Sequence, residues 1–115
     1  MVRVFRVQDS DGRGPFKPGF SHVWLDPVGG CDLPAWIYEF PDLAGRIRDI
    51  RPHCGSAVRT LEQVSRWFTE SELGRLRILG YRIVALDADE ILAESDNQVV
   101  FRRDKPLAED AEIIS

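Results

Sequence analysis

The 115 residues hold only two cysteines, Cys31 and Cys54. They can form one pair at most, nothing in the sequence demands it, and a reduced compartment is the simpler expectation. Long apolar runs are also missing. None approaches the length of a membrane span, and the N-terminus has no apolar core of a signal peptide. A cytoplasmic protein with no membrane association is expected. An excess of positive charge is lacking as well. The formal net charge is −4, which argues against bulk nucleic-acid binding. There is no P-loop and no GxGxxG fingerprint. What remains is ordinary for a globular chain, at 43% hydrophobic and 30% charged residues. That length fits one domain, 1–115, with one modest core and no staples.

The charge that is present is uneven. Residues 83–115 carry nine acids and three bases, whereas residues 42–82 carry eight arginines and five acids. An arginine-bearing face beside an acidic tail suits a phosphate-containing or acidic partner. The plainer alternative is a solvated helix surface.

The stretch from Thr60 to Arg103 forms the frame. Thr60 with Gln63, and Thr69 with Glu72, each make a capping box. They predict helices over 61–68 and 70–79, with Leu61, Val64, Trp67 and Phe68 inward on the first. Leu73, Leu76 and Leu79 face inward on the second, and Gly80 is its left-handed stop. YRIVALD (81–87) reads as a central strand, DEILAE (89–94) as a short helical turn, and QVVFR (98–102) as a strand. AEIIS, from Ala111, reads as a last strand. Upstream, Val2 to Gln8 is a strand with Val2, Val4 and Arg6 on one face. SHVWLD (21–26) reads as a short strand. Residues 33–40 fit either a strand or a packed loop, and Pro41 opens a short helix. Residues 51–56 look irregular. The fold class expected is α+β: a small mixed or antiparallel sheet with a pair of short helices packed on it.

Two segments offer chemistry. Asp9 to Phe20 is too rich in glycine, proline and aspartate for a regular element. Asp9 and Asp11 can cap backbone N–H groups, Gly12 and Gly14 can take positive φ, and Arg13 and Lys17 are candidate anion contacts. His22, Cys31, His53 and Cys54 are the available soft ligands. Adjacent His53 and Cys54 do not match the spacing by which one turn presents two zinc ligands, so no metal is expected. Cys54 as a nucleophile, with His53 or His22 as base, is chemically feasible. A small packed thiol near a turn is the plainer reading.

FRVQDSDGRG, then LGYRIVALD and NQVVF, within a short chain of mixed α and β, resembles the ADP-ribosyltransferase-like fold and also small phage or prophage proteins. The first resemblance implies NAD as cofactor. It implies Arg6 as the NAD anchor and a catalytic-site residue, with Asp9, Asp11, Gly12 and Arg13 around the cofactor. Ser56 would pack against the nicotinamide. Gln98 stands where that family places a glutamate. Glutamine keeps the hydrogen bond and loses the charge, and losing a preorganised charge of that kind slows catalysis by orders of magnitude. Asp96, two residues away, is the substitute on offer.

The expectation is therefore an ADP-ribosyltransferase-like domain handling NAD, by ADP-ribosyl transfer or NAD cleavage, in an active or a degenerate form. The alternative is a non-catalytic binding or inhibitor protein, such as a phage-encoded blocker of a host defence system, with a protein as partner. In a third reading, Trp36, Tyr38 and Phe40 form an interface within a larger assembly. The pocket is expected between the Asp9–Gly14 loop, the His53–Ser56 segment and Gln98, with Arg6 and Gln98 on one sheet face.

Overall fold

A computed structural model describes residues 1–14, 40–44 and 53–115. The strand expected over 21–26, the segment 33–39, the helix beyond Ala44, and Lys17, His22, Cys31, Trp36 and Tyr38 lie outside the described residues. The described elements are β1 (Val2–Gln8), α1 (Pro41–Ala44), β2 (Cys54–Ala57), α2 (Leu61–Trp67), α3 (Glu70–Ile78), β3 (Arg82–Ala88), β4 (Glu90–Glu94), β5 (Val99–Arg102) and β6 (Glu112–Ile113).

The two capping boxes set the helix pair. The Thr60 side chain accepts the Gln63 N–H at 3.3 Å, and Gln63 Oε1 accepts the Thr60 N–H at 3.1 Å. The Thr69 side chain accepts the Glu72 N–H at 3.1 Å, and Glu72 Oε1 accepts the Thr69 N–H at 2.9 Å. Each box satisfies two backbone donors that a helix start leaves orphaned. Between the helices Phe68 is extended, at φ −137° and ψ 136°, so the chain restarts rather than continuing one helix. Gly80 stops α3 at φ +95°, as its position predicts. The inward stripe is narrower than expected. Val64, Trp67, Phe68 and Leu76 are buried, but Leu61 is 46% and Leu79 45% exposed. Both sit at helix ends, one at the first position of α2 and one past the last of α3.

The strands correct the sequence reading twice. Glu90–Glu94, expected as a helical turn, is a strand paired antiparallel to β5, with a bulge between Ile91 and Ala93. Helix propensity in EILAE yields to a partner strand already in place. Cys54–Ala57, expected as irregular, is also a strand, paired with β5 from Cys54↔Arg102 to Ala57↔Val99. The fold class stands as α+β, but the sheet is two antiparallel sheets of three strands, ordered β1-β3-β6 and β2-β5-β4.

These two sheets close on each other. β3 runs into β4 through Asp89 alone, so one bent strand belongs to both. On the far side Phe5 and Val58 bridge β1 to the end of β2, exchanging two backbone hydrogen bonds of 2.8 Å each. The circuit β1, β3–β4, β5, β2 and back to β1 is a small ring of strands, which leaves few unpaired edges. Its inside is filled by Val4, Ala57, Val84, Leu86, Ala88, Val99 and Phe101. Its outer face on the helix side packs Val7, Val58 and Ile83 against Val64, Trp67, Phe68, Leu76 and Tyr81. The alternation of β1 divides the two cores. Val4 points in, whereas Val7, with Phe5 beside it, meets the helices. Among the described residues no helix is long and apolar enough to cross a membrane.

Candidate functional site

Arg6 shares the inner face of β1 with Val4, and its register partner is Val84 of β3. It therefore enters the mouth of the ring. There Nη1 donates to the Ser56 carbonyl at 3.2 Å, and Nη2 reaches the Gly12 carbonyl at 3.4 Å. Nε is buried with no hydrogen-bond partner. The guanidinium lies so close to β2 that a Cβ on Gly55 would stand 2.0 Å from Nη1, and one on Gly14 would stand 3.3 Å from Nη2. Glycine at 55 is what lets β2 and the arginine share the space. Burial pushes the guanidinium down to about 10, with Asp9 pulling the other way, so it is charged at neutral pH.

The Asp9–Gly14 segment is a compact turn that bonds mostly to itself. Asp9 Oδ1 accepts the N–H of Asp11 at 3.0 Å and of Arg13 at 2.9 Å. The Asp9 backbone exchanges with Arg13 and Gly12 at 2.9 and 3.0 Å. Gly12 sits at φ +83° against Leu107, as its expected positive φ requires. Asp11 and Arg13 are exposed. Beside the turn, the buried Gln8 donates Nε2–H to the Leu107 carbonyl at 2.8 Å.

Of the residues expected to form one site, the structure brings together Arg6, the Asp9–Gly14 turn and the Ser56 backbone. Ser56 contributes its carbonyl. Its position opposite Val100 in the register puts its side chain on the outer face, away from the ring interior. Gln98 is not brought in. It is buried, its backbone pairs with Ser95, and the alternation of β5 sets it with Val100, opposite to Val99 and Phe101. Arg6 therefore faces the ring interior and Gln98 the helix side. Asp96 sits in the β4–β5 turn, where its carbonyl accepts from Gln63 Nε2 at 3.2 Å and Arg66 Nη1 at 3.1 Å. The neighbouring Asn97 carbonyl accepts the Trp67 indole N–H at 3.0 Å. That turn is clamped by α2. His53 and Cys54 are half-buried, and the His53 carbonyl accepts the Arg103 N–H at 3.0 Å. Among the described residues no cluster of three His, Cys, Asp or Glu side chains is arranged to hold a metal ion.

Two further features lie away from the expected site. A shallow groove of about 330 Å³ runs beside β1 and β3, lined by Arg3, Asp87, Arg103, Lys105 and Asp110 among others. Ion pairs Arg3–Glu112 and Lys105–Asp110, each 2.7 Å, cross it. Arg103 is buried and donates to the carbonyls of Lys105, Pro106 and Glu109, which holds the 103–110 turn against the ring. The second feature is the end of α3. Ile78 is 86% exposed beside Leu79. Arg77 donates to the Ser115 hydroxyl, and Arg82 Nη1 to the carbonyls of Arg77 and Tyr81 at 2.9 and 2.7 Å. The signal for Ile78 was available, since it lies off the Leu73–Leu76 stripe.

The fold and this site define a small α+β domain whose strand ring is plugged by its own arginine. The chain belongs to the family described as Bacteriophage T4 Y00F protein, whose model matches residues 1–113. No curated protein and no solved structure matches it.

Proposed function

We propose that this protein works by non-catalytic binding to a protein partner, as a phage-encoded factor of the inhibitor type. The observation that carries this reading is the placement of Arg6. An anchor for NAD needs donors free to meet a phosphate or an amide. Arg6 instead has one N–H of each Nη on the Ser56 and Gly12 carbonyls, and its remaining donors are enclosed by burial and by the close approach of Gly55. Gln98, the other residue that NAD chemistry would use, lies on the helix side of the sheet. A binding protein needs neither residue to be available, only a folded surface. The membership in a bacteriophage family fits that role.

The second reading, an ADP-ribosyltransferase-like domain that handles NAD, draws on one feature. The buried Arg6 Nε–H lacks an acceptor, and a buried donor without one costs about 1–3 kcal/mol. An anion reaching the ring mouth would supply that acceptor. Titration calorimetry with NAD separates the two readings. The binding reading expects no heat at millimolar NAD. Micromolar binding that disappears in a folded Arg6→Met variant would restore the NAD reading and displace this one.

A further inference from the structure

Building on the binding reading, we propose that the end of α3 and the start of β3 dock an acidic amphipathic segment of the partner protein. From Leu73 to Val84 the chain holds three arginines and no acid. Among the described residues neither Arg77 nor Arg82 meets a carboxylate. Arg77 has one hydroxyl acceptor, and Arg82 uses only Nη1, on two carbonyls of the helix end. A guanidinium carries five N–H donors, so most remain available, and the carbonyl contacts already hold Arg82 in place. Between these arginines stand Ile78, 86% exposed, and Leu79, 45% exposed. The helix satisfies its core with Leu76 and, partly, Leu73, so this apolar pair is surplus to folding.

Charge complementarity selects the occupant. An apolar centre rimmed by arginine fits a segment that offers carboxylates around one or two apolar side chains. A nucleic acid would meet the arginines and leave Ile78 in water.

The test uses the full chain and a fluorescein-labelled peptide of glutamate and leucine at helical spacing, read by anisotropy. The proposal expects micromolar binding. It should weaken about tenfold or more in Ile78→Asp and in Arg77→Glu/Arg82→Glu, fall with added salt, and stay unchanged in Lys105→Ala. Circular dichroism establishes that each variant is folded. A glutamine version of the peptide should bind poorly. No binding of the acidic peptide, equal binding of the glutamine peptide, or a poly(dT) oligonucleotide that binds as well and ignores Ile78→Asp would each overturn the proposal. Affinity purification from host extract keeps its failure apart from that of the broader reading. A partner retained equally by wild type and Ile78→Asp overturns this docking face and leaves the binding reading standing. Heat with NAD overturns the reading beneath it.

Discussion

Replacing Gly55 with alanine tests the plugged ring where it is tightest. The new methyl would stand 2.0 Å from Arg6 Nη1, 3.2 Å from Cζ and 3.3 Å from Leu107 Cδ1. The clashing atom is the end of a flexible side chain, so the backbone need not move. The guanidinium must swing, however, and it then loses the 3.2 Å bond to the Ser56 carbonyl. A hydrogen bond from a charged group contributes about 1.5–3 kcal/mol. Alanine returns about 0.4–1 kcal/mol by restricting the unfolded chain. Residual crowding against Leu107 adds to the loss. The net expectation is a destabilisation of about 2 kcal/mol, read by urea unfolding as a midpoint lowered by about 1 M at unchanged slope. The cause is checked by a double-mutant cycle with Arg6→Met. Without the guanidinium the methyl meets a side chain that can bend away. The two substitutions should therefore couple by at least about 1 kcal/mol. A neutral Gly55→Ala, or additivity within about 0.5 kcal/mol, would refute the reasoning.

Gly12→Ala and Gly80→Ala share a left-handed backbone but differ in surroundings. At Gly80 nothing lies within 4 Å, so the loss should be about 1 kcal/mol, whereas at Gly12 a Cβ meets Leu107 Cβ at 2.9 Å and Ala108 N at 3.0 Å. Thermal melts should therefore rank Gly12→Ala clearly below Gly80→Ala, and equal melts would contradict the contact with Leu107. Trp67→Phe removes the donor to the Asn97 carbonyl. It should destabilise by about 1–2 kcal/mol and speed amide exchange at Ser95 and Gln98 before it does so in β3; uniform exchange would argue against a clamp. Tyr81 is held above its ordinary phenol value by burial, with Asp9 adding and Arg13 opposing. Because the folded value exceeds the unfolded one, its contribution is complete below about pH 10 and disappears as pH rises through the folded value. In a Tyr38→Phe background, phenolate absorbance should appear later than for a free tyrosine and coincide with falling stability. An ordinary titration would refute the burial.

Local signals made the helices legible. Each capping box lies within four residues, and the Val64–Trp67–Phe68 stripe needs only the helical period. β1, β3 and β5 were legible from their branched and aromatic residues. β2 and β4 were not, because their evidence is non-local. Cys-Gly-Ser-Ala has no strand character until β5 stands beside it, and EILAE favours a helix in isolation. The site divides in the same way. Alternation along β1 already placed Arg6 with Val4, and alternation along β5 already separated Gln98 from Val99 and Phe101. That these two faces lie on opposite sides of one framework depends on the Phe5–Val58 bridge, which joins residues 53 positions apart. The cage around Arg6 depends likewise on Gly55, far along the chain and silent by itself. A resemblance built on strand sequences therefore brought Arg6 and Gln98 to one face where the ring keeps them apart.

The central claim is that the Arg6 guanidinium belongs to the fold and not to a ligand. Side-chain NMR of the arginine Nε–H groups tests it most directly. Among the arginines of the described residues, Arg6 is the one with a buried, unpartnered Nε. Its signal, assigned through Arg6→Met, should exchange slowly with water and stay in place when millimolar NAD is added. A fast-exchanging signal, or one that moves as NAD is titrated, would contradict the claim.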